Sequence, residues 1–467
     1  MQKPSRFRWF SIMGSLVWAL AVLWPVALVI WFIWKYYVDV PFLDQWEFVP
    51  LLRKSYEGHF ALSDLWAQHN EHRLLFPRLI WLALAHLTHW NGYYELATNV
   101  LLAGLTFVVI SLQLRATARA VGARRAIWMI PLLSFVVFSL NQHENWLWGW
   151  DIQIFLNVLA VVAGLVLLAN PLCDWRRFAA ALALGVVALY SFANGIAYWL
   201  LGLPILLLVR PESRRILRLR IVLWTLAGAA VIYSYVYDFQ PVSYHPSWSF
   251  IFQHPIGWLK YVGAYLGAPC ITSRKELAGV SMWVGLAGFL VLCSTTWLLL
   301  RVQRLELRRL TPYLAISLYG IGSAMITGIG RAGFGAHQAM SSRYVTIGDL
   351  LWIPNIILLY LLASRAKVPG ERGAGASSAG VMRFGGWIGL VAIMLMMTYS
   401  MIDGYTVGEK RHAYFEPVLV ELSQGQDYTD EAFRDFCLSQ LNPIRVPLVE
   451  QGLVFQEQYH LSLFREK

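Results

Sequence analysis

The chain has 467 residues, of which 58% are hydrophobic and only 14% are charged. Soluble globular domains carry about 25% charged residues, so this composition excludes an ordinary soluble globule and predicts a polytopic membrane protein. The formal net charge is +11, and the arginines are spread over many short loops. This distribution favours contact with anionic lipid headgroups and argues against nucleic acid as a partner.

Long apolar stretches recur along the chain. A helical span needs about 20 mainly apolar residues to cross about 30 Å of hydrocarbon, and about eleven stretches are candidates. The sequence therefore predicts an all-α integral membrane protein with about eleven transmembrane helices. A miscount at residues 191–195, which leave barely a turn between two spans, would reverse the topology. The predicted spans begin near residues 10, 92, 126, 152, 178, 195, 221, 278, 310, 345 and 385.

The first apolar stretch, residues 10–34, follows a basic start. It is too long for the apolar part of a signal peptide and has no obvious small-residue cleavage site, so we interpret it as an uncleaved span. More than half of the 38 Lys and Arg residues fall in segments that face the cytoplasm if the N-terminus is cytoplasmic. This asymmetry predicts a cytoplasmic N-terminus, and an odd number of spans then places the C-terminus in the periplasm.

The composition shifts toward Glu, Gln and Asp from about Asp403 onward. We therefore predict a transmembrane catalytic domain over residues 1–403, which includes a first periplasmic loop at 34–91, and a periplasmic tail or cap over 404–467. Four cysteines are too few for a disulfide scaffold. Cys270 and Cys437 both face the oxidising side on this topology, where they either pair or remain two separate thiols.

The first outer loop contains two amphipathic pieces, residues 45–56 and 77–90. Their mixture of Leu, Trp and His suits interfacial helices that lie in the headgroup plane. Pro77 is well placed at a helix start, which leaves residues 69–73 as an irregular polar segment. Acid, histidine, arginine and tryptophan also collect in the later outer loops, at residues 143–146 and 331–344. The chemistry is therefore expected at one membrane face.

The first outer loop opens with Phe42-Leu43-Asp44-Gln45-Trp46-Glu47-Phe48, shortly after one apolar span and before the surface helices. This arrangement resembles the start of the polytopic glycosyltransferases of the GT-C superfamily, in which an acidic motif occupies the first outer loop. Gln45 stands where many members have a second acid. The runs at residues 142–149 and 342–344 resemble segments of uncharacterised bacterial members.

The resemblance implies an enzyme that takes a sugar from a polyprenyl-phosphate donor on the outer leaflet and transfers it to an acceptor hydroxyl of a glycan, lipid or polymer. It implies a bacterial inner membrane as the setting. Its partners would be the donor, a glycan or lipid acceptor, and membrane lipids. A soluble nucleotide sugar is disfavoured as donor, because the candidate site lies opposite the cytoplasm.

Sugar transfer to a hydroxyl needs a base for the incoming nucleophile, and a carboxylate can supply it. Asp44 is the first candidate, and Glu71 and Glu144 are further catalytic candidates. Each has an alternative role. Asp44 would otherwise simply end the first span in water, and the two glutamates would pair with neighbouring Arg or His side chains to shape the loops.

The phosphate leaving group gathers negative charge as the glycosidic bond breaks, and fixed cations stabilise it. Arginine suits this task because its planar fork can hold two phosphate oxygens. Arg331 and Arg343, with His337 between them and Tyr344 beside them, form the predicted phosphate clamp, and Arg73 is a second candidate. An alternative is that these arginines bind ordinary lipid phosphate.

Four further side chains are candidate substrate contacts: Trp46, His72, His143 and Trp146. The tryptophans would stack on a sugar ring or steer the prenyl chain, although interfacial tryptophan belts are general in membrane proteins. His69 with His72, and His86 with His89, have spacings that suit two metal ligands. Because no third ligand is confirmed for either pair, we predict no cofactor, and a divalent metal stays open as an unsupported alternative.

A transporter or flippase of a lipid-linked or small-molecule substrate is the main alternative function. Transporters place polar groups near the membrane midplane, often in two related halves. The sequence has no convincing repeat, and the predicted spans carry their charges at their ends, which favours interfacial catalysis. A non-catalytic assembly subunit that binds a partner through its tail is a third possibility.

Overall fold

The computed structural model describes residues 6–209, 213–271, 274–364, 375–423 and 438–465. Helices dominate all of these ranges. The strands that occur within them are β1 (Gln68–His69) and β2 (His72–Arg73), which pair antiparallel with His69 opposite His72. Residues 69–73, which the sequence left as an irregular segment, thus belong to a small hairpin whose tip residue Asn70 has a φ of 49°.

Nine helical segments within the described residues are long and apolar enough to cross a membrane. Because each predicted span start corresponds to a helix, the chain is an all-α multi-pass membrane protein, as predicted. The nine segments are Met13–Tyr36, Gly92–Ala120, Arg125–Leu147, Gly149–Leu168, Arg214–Val236, Lys275–Arg301, Leu307–Phe334, Ser342–Ser364 and Gly380–Leu422.

The helices are numbered here in chain order. The first part of the chain contains α1 (Arg6–Tyr36), α2 (Val49–Tyr56), α3 (Leu62–Trp66), α4 (Leu75–Thr88), α5 (Gly92–Ala120), α6 (Ile130–Val137), α7 (His143–Leu147), α8 (Ile152–Leu168), α9 (Trp175–Leu189) and α10 (Ile196–Val209). The second part contains α11 (Arg214–Val236), α12 (Phe250–Gln253), α13 (Pro255–Gly267), α14 (Ala278–Arg301), α15 (Leu307–Arg331), α16 (Val345–Ser364), α17 (Gly375–Ser423), α18 (Ser439–Leu441) and α19 (Val446–Gln458).

The two remaining predicted crossings, α9 and α10, are short. They have 15 and 14 residues, and a helix of this size is about 22 Å long at 1.5 Å per residue. This is less than the roughly 30 Å of a bilayer core. Their connecting turn nevertheless reaches the end of the bundle that holds the first outer loop, because Asn194 and Asp44 line the same cavity. The pair therefore forms a short hairpin beneath that cavity.

Helix α16 lies at the centre of the bundle. Every residue of its most apolar window is buried, as expected for a helix that is apolar on all sides. It packs against α14, α15 and α17. A 3₁₀ turn at Ser342–Tyr344 leads directly into α16, so the helix holds Arg343 and Tyr344 at its N-terminal end.

The first outer loop contains the two surface helices predicted from its amphipathic pieces. Helix α2 follows a 3₁₀ turn at Leu43–Phe48, and α4 begins at Leu75, two residues before Pro77. Trp46, Leu52 and Trp81 are almost fully buried. These apolar faces pack inward. Polar residues of the loop, among them Asp44, His69 and Glu71, line the cavity that Asn194 also lines.

The C-terminal region differs from the predicted cap. Helix α17 runs without interruption from Gly375 to Ser423, so the predicted boundary after residue 403 falls inside a helix. In α19, Val449, Leu453 and Phe455 are buried.

The last described segment packs directly on the first outer loop. A Cβ atom added at Gly452 would lie 2.8 Å from the Trp46 ring, which shows how closely α19 approaches that side chain. Arg445 pairs with Glu47 at 3.0 Å. Residues 438–465 are therefore part of the structure around the first loop. Cys270 is buried, and its predicted partner Cys437 lies outside the described residues.

Candidate functional site

A cavity of about 240 Å³ brings together side chains that are far apart in the chain. They come from the first outer loop, the segment before α8, the α9–α10 turn, the loop after α11, and the segments around the ends of α15 and α16. Its polar and aromatic lining consists of Asp44, His69, Asn70, Glu71, His72, Trp148, Trp150, Asp151, Gln153, Phe192, Asn194, His245, Thr327, Arg331, Arg343 and Tyr344. We call this space the inner cavity.

Asp44 and its neighbour Gln45 point in different directions from the same 3₁₀ turn. Gln45 is buried, and its amide donates a hydrogen bond to Glu95 at 2.9 Å while its oxygen accepts one from the backbone N–H of Phe42 at 3.1 Å. It therefore anchors the turn. The Asp44 carboxylate lines the inner cavity instead, 3.8 Å from Nε2 of His69.

The electrostatic surroundings of Asp44 favour its ionised form. Burial alone would raise the pKa of this carboxyl, but the adjacent His69 and the positive charges of Arg343 and Arg331 outweigh that effect and lower it. For His69, burial opposes protonation, yet contacts with Asp44 and Glu47 raise its pKa to about 9. At neutral pH the pair is therefore an aspartate beside an imidazolium.

Glu71 forms an ion pair with Arg331, at 2.5 Å between Oε1 and Nη2. Burial would raise the pKa of Glu71, but His72 and Arg331 lower it to about 2. Burial lowers the pKa of His72 itself to about 4, so Arg331 supplies the lasting positive charge at neutral pH. This pairing holds Glu71 as an ionised partner of Arg331.

His72 is held by the α9–α10 turn. Its ring stacks on Phe192 with centroids 4.4 Å apart, and its Nδ1 atom accepts a hydrogen bond from the backbone N–H of Ala193 at 3.1 Å. A neutral ring with its proton on Nε2 satisfies this contact. His72 therefore lines the cavity as a neutral side chain that joins the hairpin to the turn.

Arg343 contrasts with Arg331. No carboxylate of the described residues lies within salt-bridge distance of its guanidinium, and its buried Nε atom has no hydrogen-bond partner there. The guanidinium carbon lies 5.5 Å from the centroid of the Tyr344 ring. A partly buried cation without a paired anion is costly in a protein, so this position suits an anionic ligand.

A second, larger cavity of about 760 Å³ meets the inner cavity at Arg343. We call it the outer cavity. Lys275 and Lys410 give it a cationic lining, together with Arg274, which pairs with Asp403 at 2.9 Å. Its polar lining is His143, Glu144, Arg274, Lys275, Glu276, His337, Gln338, Ser341, Ser342, Arg343, Asp403, Thr406 and Lys410.

The structure separates the predicted site residues between these cavities. Asp44, Glu71, His72, Arg331 and Tyr344 line the inner cavity, and Arg343 lines both. His143, Glu144 and His337 line the outer cavity. The predicted clamp of Arg331, His337 and Arg343 is therefore not a single cluster, because Arg331 and His337 lie in different cavities.

Arg73, a predicted phosphate contact, does not line either cavity. Its Nε, Nη1 and Nη2 atoms donate to the backbone carbonyl oxygens of Tyr235, Trp66 and Tyr237, at 2.7, 2.9 and 2.5 Å. Each guanidinium nitrogen thus already has a protein acceptor. The side chain joins the hairpin to the end of α11, apart from the cavities that hold Arg331 and Arg343.

Trp46 and Trp146, predicted substrate contacts, are also enclosed. Both rings are fully buried. The Trp146 indole N–H donates to the carbonyl oxygen of Ser139 at 2.9 Å, and its ring stacks on Phe155. Because neither ring lines a cavity, both are packing residues. Sequence position alone did not distinguish them from Trp148 and Trp150, which do line the inner cavity.

Several lining residues were not predicted as site residues. Asp151 is buried at the start of the apolar stretch of α8, and its Oδ2 atom has no hydrogen-bond partner within the described ranges. An acid at that position was the signal that could have identified it. His69 was considered only as one of a pair of metal ligands, and Asn194 and His245 stood in segments treated as turns or loops, so nothing local indicated that the three would converge.

The described part of the chain contains no group of three His, Cys, Asp or Glu side chains that could hold a metal ion. The inner cavity itself presents two ionised carboxylates, Asp44 and Glu71, the imidazolium of His69, and the guanidinium groups of Arg331 and Arg343. Such a set can accept a proton at one point and stabilise an anion at another.

The chain is similar to the crystal structure of ArnT from Cupriavidus metallidurans bound to undecaprenyl phosphate. The sequences are 13% identical, the match covers 97% of this chain and 88% of that chain, and the TM-score is 0.44. No protein-family model and no curated protein matches the chain. The two chains are too different for this likeness to assign an activity or a residue's role.

Proposed function

We propose that this protein is a GT-C-type membrane glycosyltransferase that transfers a sugar from a polyprenyl-phosphate donor to an acceptor hydroxyl. The observation that carries the proposal is the presence of Asp44 and Arg343 in the wall of one cavity. One supplies a base and the other a site for an anion. These are the two groups that the reaction requires.

In the proposed reaction the acceptor oxygen attacks the anomeric carbon while Asp44 takes the hydroxyl proton. The bond between the anomeric carbon and the phosphate oxygen breaks, and polyprenyl phosphate leaves. The lowered pKa of Asp44 keeps this carboxylate ready to accept a proton at neutral pH. Its place in the inner cavity favours it over Glu71, which Arg331 engages, and over Glu144, which lines the outer cavity.

Arg343 is the proposed main contact of the donor phosphate. It lines both cavities, so a phosphate bound to it would lie beside the inner cavity, where Asp44 would meet the sugar. The cationic lining of the outer cavity suits the phosphate end of a carrier. Arg331, whose charge Glu71 already balances, would contribute less.

The site is proposed to face the periplasm of a bacterial inner membrane. The distribution of Lys and Arg supports a cytoplasmic N-terminus. Arg445 and Arg465 of the C-terminal segment pair with Glu47 and Asp39 of the first outer loop, which supports a C-terminus on the same side as the site. The proposed reaction uses the chain's own side chains without a metal or other cofactor.

The test is transfer by the purified protein in proteoliposomes, supplied with a panel of radiolabelled polyprenyl-phosphate sugars and a cell-envelope extract as acceptor. We expect label to move from one donor into the acceptor fraction, with release of polyprenyl phosphate. Asp44→Asn and Arg343→Ala should each reduce transfer by about 100-fold or more. Asp64→Asn is the matched control, because this carboxylate lies in the same loop, outside both cavities, and pairs with Lys54.

Two outcomes would contradict the proposal. A folded Asp44→Asn protein with full transfer activity would remove Asp44 from the reaction. Movement of a lipid-linked sugar across the bilayer, without transfer to any acceptor, would support the transporter alternative instead.

A further inference from the structure

Four charged side chains form a continuous series of ionic contacts from the surface of the protein to the inner cavity. Arg445 Nη1 lies 3.0 Å from Glu47 Oε1, and Glu47 Oε2 lies 3.0 Å from His69 Nδ1. His69 Nε2 then lies 3.8 Å from Asp44 Oδ2. The last distance is that of an ionic contact and is longer than a hydrogen bond.

The two carboxylate oxygens of Glu47 have different partners, so Glu47 links the C-terminal segment to the His69 ring. One oxygen contacts the C-terminal segment and the other contacts the imidazole. Side-chain exposure falls from 46% at Arg445 to 19% at Glu47 and 5% at His69, and rises again to 32% at Asp44, which lines the inner cavity. The contacts therefore cross a buried part of the protein between its outer surface and the cavity, and ionic contacts are stronger there.

The His69 ring has little freedom to move. Its edge meets the Trp150 ring at 5.0 Å between centroids, and Trp150 stacks on Trp81 at 4.2 Å. Strand β1 pairs His69 with His72 across the hairpin. Nδ2 of Asn70 lies 3.3 Å from Nε2 of His69, and the orientation of this amide follows the protonation state of the ring.

Other charged or titratable groups also face Asp44 and His69. Arg331 and Arg343 act on Asp44 from the ends of α15 and α16, and His72 faces both residues from β2. Tyr244 and Asp151 are near Asp44, and Glu71 lines the same cavity. Among the described carboxylates, only Asp44 and Glu47 lie within salt-bridge distance of His69.

We propose that Glu47 and His69 are positioning residues for Asp44, and that the C-terminal segment holds them in place through Arg445. This inference rests on the proposed function, in which Asp44 is the base. Glu47 holds the His69 ring in place and keeps it protonated. The imidazolium in turn keeps Asp44 ionised and oriented toward the inner cavity. Residues 438–465 thereby act on the reaction without touching the substrate.

Glu47→Gln tests the proposal, because the amide keeps the size and one acceptor oxygen of the carboxylate but loses its charge. Without that charge, His69 should lose its proton at lower pH, so the alkaline limb of the kcat/KM profile should move down by about one pH unit. The acid limb, which reports Asp44, should not move up, because His69 stays protonated throughout that pH range in both proteins. A purely structural role would lower activity at all pH values without moving either limb.

Glu57→Gln is the matched control, since Glu57 is an exposed acid in the same loop and its neutralisation should move neither limb. Arg445→Gln leaves the charge of Glu47 but removes the contact that holds Glu47 against the ring. The alkaline limb should therefore move down less than in Glu47→Gln, because the Arg445–Glu47 pair is partly exposed and exposed pairs are weak. This variant also serves if Glu47→Gln does not fold.

A second measurement does not depend on activity. Histidine-labelled protein in nanodiscs can be titrated by NMR, with the His69 signal assigned by comparison with His69→Gln. We expect His69 to titrate near pH 9 in the wild type and about one unit lower in Glu47→Gln. A wild-type His69 that titrates near 6.5 and does not respond to Glu47→Gln would overturn the proposal, with or without transfer activity.

The two readouts separate failure of this inference from failure of the proposed function. If His69 titrates as expected but no sugar donor is consumed, the result supports the chain of contacts and contradicts only the proposed reaction. If transfer occurs but the pH limbs of Glu47→Gln coincide with those of the wild type, the reaction stands and the positioning role is wrong.

Discussion

Glu144 fixes the backbone of Arg343 without neutralising its side chain. Its Oε2 atom accepts hydrogen bonds from the backbone N–H of Arg343 and from the hydroxyl of Ser341, both at 3.1 Å. No carboxylate of the described residues lies within salt-bridge distance of the Arg343 guanidinium. Glu144 was predicted as a catalytic residue, but its contacts support a role in placing the arginine between the two cavities.

We expect Glu144→Gln to keep most of the activity, because an amide oxygen can accept the same hydrogen bonds. Glu144→Ala leaves the Arg343 N–H and the Ser341 hydroxyl without their acceptor, which costs about 1–3 kcal/mol. It should raise the KM for the donor about tenfold, whereas Glu144→Gln should change it less than threefold. If Glu144→Gln is as inactive as Asp44→Asn, the charge of Glu144 takes part directly in the reaction.

Arg343→Lys tests whether the positive charge alone is enough to bind the donor phosphate or whether the planar guanidinium is required. Lysine keeps the positive charge but cannot hold two phosphate oxygens with one planar fork. We expect the KM for the donor to rise about tenfold or more, which corresponds to about 1.4 kcal/mol, while Tm changes little. Steady-state kinetics with varied donor concentration check this, and an unchanged KM would place the phosphate elsewhere.

Arg73→Lys should lower the stability of the fold without changing donor binding, the reverse of Arg343→Lys. The three backbone carbonyl groups that Arg73 contacts cannot all be reached by one ammonium group, and each hydrogen bond from a charged donor contributes about 1.5–3 kcal/mol. We expect a clear fall in Tm and an unchanged KM for the donor in the protein that remains folded. Thermal unfolding in detergent checks the fall in Tm, and donor kinetics check the KM. A rise in the KM for the donor at unchanged Tm would indicate that Arg73 contacts the donor.

Trp46→Phe should affect stability and leave substrate binding unchanged. The indole is fully buried and packs closely against α19 at Gly452, so the smaller ring leaves a void. We expect a loss of about 1–3 kcal/mol in the free energy of unfolding and unchanged KM values for donor and acceptor. A raised KM at unchanged Tm would instead indicate that the ring contacts the sugar.

Acidification should destabilise the fold through Glu71 and His72. The pKa of Glu71 is about 2 in the folded protein against an ordinary 4.5, so its contribution to stability is complete above pH 4.5 and is lost as the pH falls toward 2. The pKa of His72 is about 4 against 6.5. Protonation of the unfolded chain therefore lowers stability between pH 6.5 and 4.

Tm measured against pH in the wild type and in Glu71→Gln checks this assignment. The wild type should lose Tm more steeply than the variant below pH 4.5, since the glutamine has no carboxylate to protonate. Both proteins should decline between pH 6.5 and 4.5 because both retain His72. Parallel curves below pH 4.5 would mean that the ion pair with Arg331 does not stabilise the folded state.

Local sequence was sufficient for the class of the protein and the position of most of its elements. Hydropathy over about 20 residues reports directly on transfer into lipid, so every predicted span begins a helix. Even the short α9–α10 pair was located, although its length fell below that of a full crossing. The amphipathic patterns of α2 and α4 were also visible, because the period of a helix is a local property.

The C-terminal segment shows what an average composition leaves out. Its Glu, Gln and Asp content suggested a solvated cap, but Val449, Leu453 and Phe455 form a buried face on α19. A polar average over a segment does not exclude one apolar stripe. What that stripe packs against, here the first outer loop, depends on chain segments hundreds of positions away and has no local signature.

The sequence by itself determined that this is a helical membrane protein whose acids, histidines and arginines collect in alternate loops, because insertion into lipid is decided stretch by stretch. Only the tertiary structure decided which of these side chains meet. Asp44 and Gln45 are adjacent, yet one faces a cavity and the other is buried against Glu95. Arg73 and Arg343 are both loop arginines. Arg73 donates hydrogen bonds to three backbone carbonyl oxygens, whereas Arg343 has no carboxylate within salt-bridge distance among the described residues. The direction of a side chain and the partners it finds depend on packing between distant segments, which no local pattern encodes.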